Sequence, residues 1–202
     1  MSANLAIQPL ALSDWQSFYV LVGSAAAALT GLTFVVITIS QERGDVAGSA
    51  ASRLTGLRVF ITPTAVHFGA ALWLSALMCM PRQTAVSLEV LLAVTGLAGL
   101  IYCAPVLRHM LTSISSFGYK PFVSDWIWNA ILPVLAYLAL AATGLILPHR
   151  PASSLDAVGG VVLLLLFIGI HNAWDVVVWT TTERHAHRER QRHSGDSNRP
   201  SR

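Results

Sequence analysis

Charged side chains are scarce in this sequence. Asp, Glu, Lys and Arg make up 11% of the 202 residues, whereas 54% of the residues are hydrophobic. A typical soluble domain carries about 25% charged residues. So few charges cannot cover a water-facing surface, and the composition therefore predicts a protein whose main solvent is lipid.

Cysteine and the common catalytic motifs are also lacking. The two cysteines, Cys79 and Cys103, form neither a disulfide framework nor a metal-type spacing. Their predicted depths in the membrane differ, so we expect no disulfide between them and interpret Cys103 as a small core residue. The sequence contains no glycine-rich phosphate loop and no HExxH, GxSxG or CxxC motif. We therefore expect a protein that is not an enzyme.

The positive charge is concentrated at one end of the chain. The formal net charge is +3, and most of the excess comes from the last twenty residues, next to a hydrophobic run. A basic patch with interleaved aromatic residues, which would indicate nucleic acid, is missing. A basic segment beside a membrane span instead favours contact with anionic lipid headgroups.

Five apolar runs are each long enough to cross a hydrocarbon core of about 30 Å. They predict an all-α integral membrane bundle of five transmembrane helices, one domain over residues 1–182. The expected spans are about 15–40, 59–80, 88–107, 125–147 and 157–182. Residues 183–202 contain six Arg and three His but almost no apolar residue, so we expect a basic, disordered cytoplasmic tail.

The arginines and lysine set the expected orientation. Five spans place the termini on opposite sides, and basic residues concentrate in cytoplasmic segments. With the tail in the cytoplasm, the outer side keeps only Arg82 and Arg150. The inner side holds Arg43, Arg53, Arg58, Arg108, Lys120 and the six tail arginines. The N-terminus is therefore predicted outside.

Small residues form a stripe on the first span. Gly23, Ala27 and Gly31 are spaced four apart, which lets another helix approach closely. Packing inside one subunit explains the stripe, and so does a seam between subunits. The stripe, and the difficulty of enclosing polar groups with five helices, lead us to expect a homo-oligomer.

Polar residues from several spans are predicted at one depth in the cytoplasmic half. His171 and Asp175 lie one turn apart on the last span, so they share a face. His67 of the second span is expected at a matching depth. An ionisable pair in lipid is costly, so these residues form the candidate site. The full polar layer comprises Thr33, Thr64, His67, Tyr102, Asn129, His171, Asn172 and Asp175.

Three interpretations of this layer stay open. Hydrogen bonds within it can simply hold the helices together. Alternatively, it lines a wet vestibule or pore that binds or relays protons or cations, as in a small channel or transporter. In the third, His67, His171 and Asp175 hold a divalent metal or haem. A regulatory or scaffolding membrane subunit is the rival function to transport.

The first span also carries a family resemblance. The segments Asp14–Tyr19 and Gly23–Val35 resemble the opening of a group of small uncharacterised bacterial membrane proteins. Some members are labelled modulators of a membrane-bound AAA protease. The resemblance covers about thirty residues. It implies a bacterial inner-membrane location and a membrane protein partner, and it transfers no site residue.

Overall fold

The computed structural model describes the backbone of residues 9–42, 50–116 and 123–197, and side chains within 12–38, 63–111 and 124–175. All regular structure in these ranges is helical, as predicted. The helices are α1 (Pro9–Glu42), α2 (Ala50–Met78), α3 (Ala85–Ser116), α4 (Val123–Trp126), α5 (Leu132–Ile146) and α6 (Pro151–Ser197). A π-helical segment, Ile127–Ile131, joins α4 to α5.

Four segments of the described chain are long and apolar enough to cross a membrane, which indicates a multi-pass membrane protein. They are Leu12–Val36, Ala85–Arg108, Ile127–Ile146 and Pro151–Asp175. The second of the five expected spans lies in α2, where the described apolar stretch is shorter, Pro63–Met78. The helical fold is therefore confirmed, while the fifth span and the orientation stay predictions.

The connection from α2 to α3 is a tight turn at Pro81–Gln83. Arg82 adopts a positive φ of 57°, which reverses the chain. Thr84 and Ser87 then start α3 by a reciprocal cap, in which each backbone N–H donates to the other hydroxyl at 3.1 Å. The turn therefore connects the end of α2 directly to the start of α3.

Helix α6 continues past the expected end of the last span. The helix runs through to Ser197, about 22 Å beyond the expected span end at residue 182. The backbone of residues 183–197 is thus helical in the structure, and disorder of the tail in solution stays a prediction. Glu, Arg and Gln in this segment are good helix formers, and no proline interrupts it, so a helix that begins in the core continues through them. Residues 198–202 lie outside the described residues.

The bundle packs in the spatial order α1, α2, α6, α5, α3. Close contacts at glycines set these seams. A Cβ at Gly96 of α3 would lie 2.5 Å from the Ala141 nitrogen of α5, and a Cβ at Gly144 would lie 2.8 Å from the Ala93 nitrogen. Helices α2 and α3 are not close neighbours in the described part of the bundle, so a groove opens between them.

Contacts at α1 show that α2 and α6 run antiparallel. Near the start of α6, a Cβ at Gly159 would lie 2.8 Å from Trp15 at the start of α1. Near the end of α2, Ser75 packs against Gly23, where a Cβ would lie 2.9 Å away. The early part of α6 therefore lies beside the late part of α2. The buried core between the helices includes Tyr19, Phe68, Leu74, Leu88, Leu92, Leu140 and Leu165.

The small-residue stripe of α1 divides between two environments. Gly23 is buried against α2, so packing within one chain explains it. Ala27 and Gly31 are exposed, and a Cβ at Gly31 would meet nothing within 4 Å. Both cysteines are free, and Cys103 belongs to the core, as predicted.

Candidate functional site

His67 is the buried centre of the candidate site. Only 2% of it is exposed, and its Nδ1 lies 3.3 Å from the Tyr137 hydroxyl of α5. Tyr102 of α3 presents its ring edge-on to the imidazole, with centroids 6.4 Å apart. A neutral imidazole has one donor and one acceptor nitrogen. The Tyr137 hydroxyl can pair with Nδ1 in either tautomer, so it satisfies one of the two nitrogens.

A glycine fixes the position of Tyr137. A Cβ at Gly99 of α3 would overlap the Tyr137 ring, so this ring lies directly on the α3 backbone. Tyr137 is 2% exposed and therefore has little freedom to move. The close α3–α5 seam thus holds its hydroxyl at His67.

A second glycine sets the crossing of α2 and α6. A Cβ at Gly169 would lie 2.5 Å from Cε1 of Phe68. Thr64 precedes Phe68 by one turn and Asn172 follows Gly169 by about one turn. Because the two helices are antiparallel, Thr64 and Asn172 lie on the same side of this crossing. Both are buried, at 2% and 5% exposure.

Asn172 is the unusual member of this group. Neither its amide nitrogen nor its amide oxygen has a hydrogen-bond partner. An unsatisfied buried polar group costs about 1–3 kcal/mol, and an amide contributes both a donor and an acceptor. The amide oxygen of Asn172 can therefore coordinate a cation or accept a hydrogen bond, and its N–H groups can donate to water.

His171 and Asp175 form the pair that their spacing predicts. His171 Nδ1 lies 3.2 Å from Asp175 Oδ2, although Nδ1 makes no well-directed hydrogen bond. The two side chains are therefore close to each other without a directed hydrogen bond between them. One face of the His171 imidazole stacks on the ring of Trp128, with centroids 4.0 Å apart and ring planes 11° apart.

The π-helical segment contains Trp128, the residue that stacks on His171. The Leu132 N–H donates to the Ile127 carbonyl oxygen, five residues back. A π-turn inserts one extra residue into a helical turn and is frequent at functional sites. Asn129, also in this segment, is half-buried.

The His171–Asp175 pair is only partly covered by the bundle. The side chain of Asp175 is 47% exposed and that of His171 is 28% exposed.

The predicted layer thus falls into two groups of residues. The buried group contains Thr64, His67 and Asn172, with Tyr102 and Tyr137 beside His67. The outer group contains Trp128, His171 and Asp175. Thr33 bonds within α1, its hydroxyl donating to the Leu29 carbonyl at 2.8 Å.

The metal interpretation gains no geometric support. Among the described residues, no three His, Cys, Asp or Glu side chains converge closely enough to hold a metal ion. His67 is bonded to Tyr137, and His171 lies against Trp128 and Asp175. The donor set proposed for a metal or haem is thus divided between different neighbours.

Tyr137, Trp128 and Tyr19 were missed by sequence reasoning. Tyr137 lies in an ordinary apolar run, and only a cross-helix contact shows that it meets His67. Trp128 resembles an interfacial anchor until its stacking on His171 is seen. Tyr19 is 1% exposed and its hydroxyl has no partner. A tyrosine deep in an apolar run was the available signal for Tyr19 and Tyr137.

Comparison with known proteins gives no guide to function, so the proposal below depends on the geometry of the candidate site. No family model, curated protein or solved structure matches this chain.

Proposed function

We propose that the protein is a small membrane transporter or channel that moves protons or small cations through the buried group around His67. The observation that carries this proposal is the Asn172 amide, which is 5% exposed and unpartnered at both polar atoms. A purely structural hydrogen-bonded layer would satisfy this amide within the bundle. Water or a cation from outside the chain would satisfy the amide oxygen, and this is the contact that the proposed transport supplies.

The surroundings favour a transporter or an oligomeric pore over a pore through one chain. Large apolar residues fill the bundle beyond the polar group, and Leu74, Leu140 and Leu165 are completely buried. A permeant species therefore passes either by a rearrangement of the helices or at a seam between copies. The expected homo-oligomer and the exposed Gly31 support the second route.

The proposed topology has five spans, with the N-terminus outside and the C-terminus in the cytoplasm of a bacterial inner membrane. Helix α2 supports the fifth span, because its apolar stretch Pro63–Met78 packs between α1 and α6. Eleven basic residues then lie on the cytoplasmic side and two, Arg82 and Arg150, lie outside. The buried group is thus in the cytoplasmic half.

Proteoliposome flux tests the function. We expect wild-type protein to carry a proton or monovalent-cation flux that Asn172→Leu and His67→Ala abolish. Thr38→Val is the control, because this exposed hydroxyl bonds only to its own helix, at Phe34. The absence of flux across a proton, sodium, potassium and ammonium series would reject the proposal.

A regulatory or scaffolding subunit is the second candidate. The observation in its favour is the continuation of α6 as a helix to Ser197. Such an extension past the apolar segment places a basic sequence on a helix, which a soluble or membrane partner would bind. The family resemblance suggests a membrane-bound protease as one such partner.

Truncation separates the two candidates. Removal of residues 183–202 should leave flux intact if the protein is a transporter. The same truncation should abolish a cross-linked partner complex if the protein is a scaffold. A complex that persists without the tail would count against the scaffold role of this helix.

A further inference from the structure

A pocket opens at the end of the α1–α2 seam that the proposed topology places outside. Its volume is about 310 Å³, at the lower end of the usual range of a small-molecule site. One wall comes from the start of α1, with Ser13 and Gln16. The other comes from the end of α2 and the turn after it, with Cys79 and Arg82. Polar side chains from both helices therefore line an opening to solvent.

Two buried hydroxyls lie about one helical turn deeper than this pocket. Ser75 comes one turn before Cys79 on α2, and Tyr19 comes three residues after Gln16 on α1. They are 2% and 1% exposed. Neither hydroxyl has a hydrogen-bond partner among the described residues, so the two do not satisfy each other. We call Tyr19 and Ser75 the outer hydroxyl pair.

The Ser75 hydroxyl departs from the way other helical hydroxyls of this chain are bonded. The hydroxyls of Thr30, Thr33 and Thr95 each donate to the carbonyl one turn earlier, at 2.7–2.8 Å, which satisfies them inside their own helices. The same bond to the Ala71 carbonyl is not formed by Ser75, whose hydroxyl stays unpartnered within the described chain. This hydroxyl is therefore available to a species from outside the bundle.

A nearby carboxylate favours a cation at the outer hydroxyl pair. The Tyr19 hydroxyl lies within electrostatic range of Asp156, near the start of α6. Hydroxyl oxygens carry lone pairs that can coordinate a cation, and a negative charge close by attracts one. Arg82 lies further out, on the exposed turn at the mouth of the pocket, where water and salt screen its charge.

The outer hydroxyl pair and the buried group around His67 are separated by a dry stretch of the core. Ser75 follows His67 by eight residues on α2, which is about 12 Å along the helix. Between them lie Ala71 and Leu74, both 0% exposed. Two polar sites with an apolar barrier between them suit transport in which the helices rearrange, because each site can then open to one side in turn.

We propose that the outer hydroxyl pair is the outer site of the transport path. A small monovalent cation and its hydrating water bind there, before the helices rearrange and the cation reaches the buried group around His67. This inference rests on the proposed function. It goes beyond that function by placing a second site inside one chain, which selects helix rearrangement over a seam between copies.

Silver-ion accessibility tests whether a monovalent cation reaches the outer hydroxyl pair. The full chain carries Cys79→Ala, Cys103→Ala and Ser75→Cys, and silver nitrate is added outside right-side-out vesicles in chloride-free buffer. Thr143→Cys in the same background is the matched control, because Thr143 is also a buried hydroxyl residue and lies near the end of α5. We expect silver to abolish later maleimide labelling of Ser75→Cys, measured after unfolding, and to spare Thr143→Cys. Equal labelling of the two would overturn the proposal.

Removal of the hydroxyls gives a second arm that does not depend on the cysteine variant. Tyr19→Phe and Ser75→Ala keep the buried carbon atoms, so thermal unfolding should show no loss of stability. Cation flux in proteoliposomes should fall about tenfold in the double variant, the effect of losing hydrogen bonds to the bound species. Thr30→Val is the control, because the Thr30 hydroxyl on α1 bonds to its own helix. Wild-type flux in the double variant would overturn the proposal.

The two arms separate this inference from the proposed function. Absence of flux from the wild-type protein would reject transport, and the outer site would fall with it. Wild-type flux together with a Ser75→Cys thiol that silver does not reach would overturn the outer site alone.

Discussion

The ring of Tyr137 lies directly on the backbone of Gly99, in the space that a Cβ would occupy. The same tyrosine places its hydroxyl 3.3 Å from His67 Nδ1. One α3–α5 contact therefore determines the geometry of a histidine on α2. A single methyl group added at Gly99 would therefore disturb the position of the Tyr137 hydroxyl beside His67.

Gly99→Ala should destabilise the protein by about 1–3 kcal/mol, because the added methyl overpacks the Tyr137 ring. In an ordinary helix interior the same change stabilises by roughly 0.5–1 kcal/mol. Gly69→Ala is the matched control, since its Cβ would meet open space, and it should be neutral or stabilising. Urea unfolding in detergent measures both. Similar effects from the two substitutions would contradict the packing assigned to Gly99.

Tyr137→Phe should cost about 1–3 kcal/mol, because it leaves His67 Nδ1 buried without its partner. The ring remains, so packing against Gly99 is preserved. The variant His67→Leu removes the group that needs this partner, and in that background Tyr137→Phe should cost much less. A double-mutant cycle from unfolding curves checks this coupling. A coupling energy of zero would show that the 3.3 Å contact contributes nothing.

The helical segments and the His171–Asp175 pair follow from periodicity and spacing, which are local properties of the chain. The division of the polar residues into a buried group and an outer group does not follow from these local properties. It depends on which face of α2 meets α5 and on the extra residue in the π-turn at Ile127–Ile131, neither of which local patterns specify. The low hydrophobicity of residues 183–197 does not indicate their helical backbone, although helix propensity alone can extend a helix from an anchored core.

Gly31→Leu tests the expected oligomer. Its Cβ would meet nothing within the chain, so the folded subunit should tolerate the substitution. A seam between subunits at this exposed face would instead be forced apart, because small residues permit close helix approach. Light scattering in detergent and in nanodiscs should show a smaller assembly for Gly31→Leu and no change for Gly160→Leu. A monomeric wild-type protein would reject the oligomer.

Cysteine labelling tests the five-span topology. In a chain without Cys79 and Cys103, a cysteine at Ser153 lies at the exposed start of α6. It should react with a membrane-impermeant maleimide in intact cells. A cysteine at Arg202 should react only after permeabilisation. Labelling of both sites in intact cells would show that α6 does not cross the membrane, and it would contradict the five-span topology.

Asp175→Asn should change the free energy of unfolding by only about 0–1 kcal/mol, the usual range for an exposed ion pair. The reason is that the Asp175 side chain is 47% exposed, so it makes few contacts within the bundle that the substitution would remove. Thermal unfolding of the detergent-solubilised protein measures the change. A loss of several kcal/mol would instead place the carboxylate in the buried site that the sequence first suggested.

Asn172→Leu has opposite expected effects on stability and function. Leucine has a similar size and needs no hydrogen bonds, so the substitution removes an unsatisfied buried amide and should stabilise the bundle by about 1–3 kcal/mol. Flux should be lost in the same variant, because the amide is the proposed contact with the permeant species. Unfolding and proteoliposome flux are measured on one preparation. If Asn172 instead held the helices together, the variant would be less stable, and the structural interpretation of the polar layer would then replace transport.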